Sequence, residues 1–154
     1  MSKIAKIVVH CSDSPDNLDI GVPEIRSWHT AKPPAGRGWA DVGYHYVVRR
    51  SGVVEVGRYE NGDSVLEGKE IGAHVQGENS DSLGVCWVGR DQLAPVQRTA
   101  LLRQVLHLMN LHDVPVAKVF GHYEFNPAKT CPNLKMNDFR LALTAFQSSS
   151  KGVT

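Results

Sequence analysis

The 154-residue sequence carries almost no net charge: 17 Lys and Arg stand against 16 Asp and Glu, leaving +1 with histidine neutral. A phosphate backbone is gripped by an excess of positive charge, so this balance argues against general nucleic-acid binding. Cysteines are few, with only Cys11, Cys86 and Cys131. An odd, small number does not make a disulfide scaffold and fits a reduced, intracellular place of synthesis. Long apolar runs are missing as well. None approaches the roughly 20 residues needed to span a bilayer, so a soluble chain with no membrane insertion is expected. The short apolar stretch Ile4 to Val9 contains Lys6, and no small-residue cleavage site follows it, which argues against a signal peptide. If the target lies outside the cytoplasm, something else must carry the chain there.

What is present suffices for one core, because a chain of this length buries about two-thirds of its surface on folding. Ile4 to Val9 reads as a buried strand that ends in the turn-forming cluster His10-Cys11-Ser12-Asp13-Ser14-Pro15 and so delivers His10 to a loop. Pro23 opens a short helix over 22–31, and Pro33-Pro34 ends it. Tyr44 to Arg50 and Val53 to Val56 flank Ser51-Gly52 as a hairpin. From Gly57 to Asp81 no period is sustained, and loops of such length are often functional. Leu83 to Val88 reads as another buried strand. Pro95 then begins a helix whose apolar face is assigned to Val96, Ala100, Leu101, Val105, Leu108 and Met109. Val116 to Phe120 is a strand leading to Gly121-His122, and Met136 to Phe146 a last helix with Phe139, Leu141, Leu143 and Phe146 as apolar candidates. The expectation is a single α/β domain over residues 1–147, followed by a flexible, solvated tail at 148–154.

Seven histidines decide nothing by number, since most histidines in proteins are not ligands. Position singles out a subset. His10 and His122 each follow a predicted buried strand, where open α/β sheets expose ligand sites. Cys131 lies in Ala128-Lys129-Thr130-Cys131-Pro132, with a cation two residues before the thiol that is expected to lower its pKa. Two imidazoles and a thiolate suit Zn²⁺ and leave a fourth position open, which is a catalytic type of site. The spacing alone is a weak signal, because the three residues come from distant segments without a local motif. Cys11 and Cys86, in or beside apolar strands, read as inert buried thiols. His29, His107 and His112 receive no functional role.

Seven blocks then carry a resemblance: Val9-His10-Cys11-Ser12, Glu24-Ile25-Arg26-Ser27-Trp28-His29, Gly38-Trp39-Ala40-Asp41-Val42-Gly43-Tyr44-His45-Tyr46, Gly72-Ala73-His74, Ser82-Leu83-Gly84-Val85, Gly121-His122 and Lys129-Thr130-Cys131-Pro132. In this order they resemble the zinc-dependent N-acetylmuramoyl-L-alanine amidases, a family that includes short phage endolysins and is related to peptidoglycan recognition proteins. The resemblance implies a central mixed β-sheet flanked by helices and a groove that receives peptidoglycan at the glycan–peptide junction. It implies one Zn²⁺ per chain held by His10, His122 and Cys131, with Tyr44 and Lys129 as catalytic side chains and His74 lining the substrate groove. His45, next to Tyr44 on a strand, should point to the other face and reads as structural.

Zinc activates water and polarises the scissile carbonyl, so the expected chemistry is hydrolysis of the amide between N-acetylmuramic acid and L-alanine. Lys129 is suited to stabilise the oxyanion and Tyr44 to orient the water or bond the oxyanion, and either of them or the metal-bound water could protonate the leaving amine. The small form resembles an endolysin that waits in the host cytoplasm and reaches the wall after membrane permeabilisation. A muropeptide-recycling amidase and a peptidoglycan-binding module without catalysis are the alternatives. Some phage amidases of this type also inhibit a phage RNA polymerase, which adds a possible partner that no residue here tests.

Overall fold

A computed structural model describes residues 2–151. In chain order the strands are β1 (Ser2–Lys3), β2 (Lys6–Cys11), β3 (Tyr46–Val48), β4 (Val54–Val56), β5 (Val65–Leu66), β6 (Ser82–Trp87) and β7 (Val119–Gly121). The helices are α1 (Val22–Thr30), α2 (Pro95–His112) and α3 (Met136–Lys151). Five strands form one mixed sheet in the order β4-β3-β6-β2-β7, while β1 and β5 make a separate antiparallel pair. In the main sheet β3, β6, β2 and β7 run parallel, and β4 returns antiparallel from the hairpin turn, where Gly52 adopts φ +90°. The α/β architecture with a mixed sheet and flanking helices is thus as the sequence led us to expect.

The central strands β2 and β6 are buried on both faces, and their two-residue period sorts side chains between two layers. Ile7, Val9 and Cys11 of β2, with Leu83, Val85 and Trp87 of β6, pack into the core under α2 and α3. The alternate positions face the other way, where Val22 and Ile25 of α1 meet Val42, Val47, Cys86 and Val88. His10 lies on this second face. The α1 layer is thin, so part of the sheet surface beside it is left for loops and for the site.

Several boundaries differ from the sequence reading. The first central strand extends through His10 and Cys11, so His10 is a strand residue and not a loop residue. On α2, Val96 is 58% exposed whereas Gln97 is fully buried, together with Leu102 and Leu106. Gln97 Nε2 donates to the carbonyls of Val48, in β3, and of Val88, just past β6, at 3.1 and 2.7 Å, and this bridge from α2 to the sheet turns the amide inward where the sequence pattern had put Val96. On α3, Leu141 is exposed, and the buried face is made by Met136, Phe139 and Leu143. That helix also runs through Ser148 to Lys151, which takes in part of the expected tail. Residues 152–154 lie outside the described residues. Among the described residues no helix is long and apolar enough to cross a membrane.

Candidate metal centre and active site

Parallel pairing of β2 with β7 brings two of the expected ligands together. Ile7, Val8 and Val9 pair with Val119, Phe120 and Gly121, and the next residue on each chain is His10 and His122. Their ring centroids lie 4.8 Å apart. Both therefore stand at the carboxyl end of the parallel strands, the edge at which open α/β sheets bind ligands.

Cys131 arrives on a loop that four hydrogen bonds hold against this edge. The Cys11 N–H donates to Cys131 Sγ at 3.2 Å, and the Tyr123 N–H donates to the Cys131 carbonyl at 2.9 Å. Trp87, wholly buried in β6, donates its indole Nε1–H to the Pro132 carbonyl at 3.0 Å. Asn133 donates from Nδ2 to the Arg90 carbonyl at 2.7 Å. The result is that one ligand atom each from His10, His122 and Cys131 lies within 4.8 Å of the others. His10 presents Nδ1 to the thiol, with Nδ1 and Cys131 Sγ 3.7 Å apart. Tetrahedral zinc with ordinary bond lengths separates its donors by about 3.3–3.8 Å, so the three fit one such ion after a small inward movement.

Electrostatics keep the imidazoles in the form a metal needs. Burial drives the His10 pKa well below its ordinary value, with the neighbouring His74 and His122 adding to the effect. His122 is lowered by burial and then by the charge of Lys129. Neutral rings with a free lone pair are the ligand form. The Cys131 thiol departs from expectation. It is pushed up, first by its contact with the Cys11 thiol and then by burial, while Lys129, the cation expected to lower it, is exposed. Without an ion, this thiol keeps its proton, so binding a cation must displace it. Cys11 is a buried thiol as expected, but it adjoins Cys131 and supplies a backbone donor to it.

Tyr44 and Lys129 border the same space. The Tyr44 ring lies 5.0 Å from that of His10, centroid to centroid, and burial raises its hydroxyl pKa well above the ordinary value, reinforced by the Cys86, Cys131 and Cys11 thiols. Two cavities, of about 660 and 680 Å³, open on either side and share His29, Arg37, Tyr44, His122 and Lys129 as lining residues. Trp39 and Asn79 belong to the first, Trp28 and Asn133 to the second. Each is of a size that encloses a small organic ligand, and together they make a groove with the His–His–Cys cluster at its middle.

His74 borders the first cavity but is only 7% exposed, and both its ring nitrogens have partners within the protein. His45 is fully buried; it accepts from the Gly84 N–H at 3.0 Å, which leaves its Nε2–H for the Glu70 carbonyl at 2.7 Å. That is a structural role. The sequence reading passed over His29. Its Nδ1 accepts from the Gly43 N–H at 2.9 Å, and its ring meets Trp39 and Tyr44 at centroid distances of 4.8 and 5.4 Å. Arg37, also unmarked beforehand, stacks over Trp39 with its guanidinium carbon 5.4 Å from the ring centroid. The block from Gly38 to Tyr46 contained the signal for both, since Trp39 and Tyr44 are the aromatic surfaces on which they rest.

Comparison with known proteins agrees with this geometry. The chain is 38% identical over 140 residues to the endolysin of Enterobacteria phage K11, covering 86% of this chain and 82% of that protein. It is 34% identical over 138 residues to the endolysin of Escherichia phage T7, covering 84% and 81%. Among solved structures, the N-acetylmuramoyl-L-alanine amidase LysC from Clostridium intestinale URNW superposes with a TM-score of 0.75 at 24% identity, over 92% of this chain and 86% of that one. Drosophila PGRP-LB shares the fold with a TM-score of 0.65 at 22% identity, over 86% and 76%. The profile described as N-acetylmuramoyl-L-alanine amidase matches residues 1–134, which include every residue of the cluster and its groove, and the chain belongs to that family.

Proposed function

We propose that this amidase is a phage endolysin that hydrolyses the amide between N-acetylmuramic acid and the L-alanine of the peptidoglycan stem peptide, with one Zn²⁺ per chain on His10, His122 and Cys131. The observation that carries the reading is the convergence of these three ligand atoms within 4.8 Å at the midpoint of a two-armed groove. A substrate with a sugar on one side of the scissile bond and a peptide on the other needs two arms meeting at the chemistry. Bound there, zinc would supply Lewis acidity, which makes water nucleophilic near neutral pH and polarises a carbonyl.

The chain's own residues supply the rest. Burial favours the protonated Tyr44 hydroxyl, which suits it to act as a hydrogen-bond donor. Its part is to donate to the carbonyl oxygen on which negative charge develops. Lys129, on the exposed rim of both cavities, would bring positive charge to the same oxygen. Trp28 and Trp39 offer flat apolar faces to the sugar ring and the peptide. The endolysin reading further places the chain in the host cytoplasm until another factor opens the membrane and admits it to the wall.

The test joins metal analysis with a murein assay on the wild type and Cys131→Ala. The expected result is about one zinc per chain, release of L-alanine amino groups without new reducing sugar ends, inhibition by a chelator, and no turnover by the variant. New reducing ends would mean a glycosidase, and full turnover without metal would overturn the mechanism. Turnover of soluble muropeptides but not of intact sacculi would replace the endolysin reading with a recycling amidase.

A further inference from the structure

His74 is embedded in a directional chain of hydrogen bonds that starts at His10. His10 Nε2 and His74 Nδ1 are 2.9 Å apart, with the two rings edge-on at 87°. His74 Nε2 lies 3.2 Å from Ser82 Oγ and 3.4 Å from the Ser82 carbonyl. The Ser82 hydroxyl donates its own proton to the Glu78 carbonyl at 2.6 Å. Only one polarity satisfies every link. The Ser82 oxygens can only accept from His74, so His74 Nε2 carries the proton and its Nδ1 is bare. That bare nitrogen must then receive the His10 Nε2–H. His10 is left with its lone pair on Nδ1, the atom that faces Cys131 Sγ.

The surroundings are shaped for this ring. A Cβ at Gly84 would lie 2.7 Å from His74 Cγ, and one at Gly72 would lie 2.8 Å from His74 Cδ2, so a side chain at either position would push the imidazole aside. The His74 and Val75 N–H groups both donate to Asn79 Oδ1 at 2.9 Å, which fixes the backbone beneath it. Gly84 and Ser82 are alternate residues of β6 on the face that also carries His10.

We propose that His74 is a positioning residue, one that locks His10 in the Nε2–H tautomer and aims its Nδ1 lone pair at the cluster before any ion arrives. The proposal rests on the metal reading above and moves His74 from the substrate groove, where the family resemblance put it, to the support of a ligand. A ring held in one tautomer needs no flip and no proton shift to bind, and losing such support typically weakens metal affinity by about 10–100-fold.

The experiment uses wild type, His74→Leu and His74→Asn, the last because an amide oxygen close to the Nδ1 position can still accept from His10. Zinc affinity is measured by competition with a chromophoric chelator, His10 ring ¹⁵N shifts are recorded on the metal-free proteins, and kcat and KM on murein fragments. The expected loss of zinc affinity in His74→Leu is about 10–100-fold, with most of it recovered in His74→Asn and KM unchanged. The ring shifts should report Nε2–H in the wild type and in His74→Asn, and a tautomer mixture in His74→Leu. Undiminished affinity in His74→Leu with a raised KM would overturn the proposal in favour of a substrate contact. An Nδ1–H tautomer in the metal-free wild type would overturn it by itself, even if a variant failed to fold. Absence of zinc binding by the wild type would instead defeat the metal reading, while the ring shifts would still report the tautomer.

Discussion

The two sides of the groove are built differently. Its floor is His10 and His74, backed by His45, Ser82 and Gly84 on or against the central strands, all buried and tied by hydrogen bonds to backbone or to one another. Its rim consists of Lys129, Arg37 and Trp28, set on loops or at a helix surface and largely exposed. A metal site requires donors held to within a fraction of an ångström, which a packed sheet edge provides. A polymeric substrate requires groups that can adapt to it, which long side chains at the rim provide. Cys131 lies between the two regimes, a loop residue made rigid by its tethers to Cys11, Tyr123 and Trp87.

The sharpest separation of floor from rim is Lys129→Ala. Removal of a group that stabilises a developing oxyanion costs about 10²–10³ in kcat. Because Lys129 is exposed and contributes no core packing, zinc content and thermal midpoint should match the wild type. The variant is measured by steady-state kinetics, metal analysis and thermal melting. If it lost its zinc along with its activity, the rim would be part of the metal site and the division would fail.

Trp87→Phe tests the reverse, a floor lesion remote from any substrate. It deletes the indole donor to the Pro132 carbonyl and leaves that buried acceptor unpaired, at a cost of about 1–3 kcal/mol. The Cys131 loop should loosen. The expected readouts are roughly tenfold weaker zinc binding in a chelator competition and, with zinc saturating, a kcat close to the wild-type value. A kcat loss that excess zinc did not repair would show that the loop positions more than the ligand.

The same division explains what could be read from the sequence. That His10, His122 and Cys131 come together was a weak signal in strand ends and in the charged loop around Cys131, to which the family resemblance gave its weight, while the order of strands and helices followed from the alternation of apolar runs and helical periods. The supporting contacts were not legible in that way. Gln97 is buried because its amide bridges the carbonyls of Val48 and Val88, and no periodicity reports a bond whose acceptors lie in other segments. His74 falls in a stretch without regular period, and its partner on β2 is 64 residues away in the chain. The upward shift of the Cys131 thiol depends on a contact with Cys11, 120 residues away, so the neighbouring lysine in the sequence was a misleading guide. Leu141 was assigned inward on apolarity alone, but the face of α3 that it occupies is not covered.

The smallest predicted effect concerns His29, which belongs to both regimes: its ring borders both cavities, and its Nδ1 is tied to the Gly43 N–H. Burial lowers its pKa from 6.5 to about 4, with the charges of Arg37 and Arg58 contributing. Between those pH values the unfolded chain binds a proton that the native state refuses. The stability associated with neutral His29 is therefore complete above about pH 6.5 and is lost as the pH falls toward 4. One group can contribute at most ~1.4 kcal/mol per pH unit to that slope, and partial exposure of the ring reduces it. His29→Asn keeps an acceptor for Gly43 and removes the titration. Denaturant unfolding of wild type and variant from pH 7 to pH 4 should give curves that converge on acidification, with the variant the shallower. Parallel curves would mean that solvent relieves the imidazolium in the native state, and His29 would then belong with the adaptable rim and not with the floor.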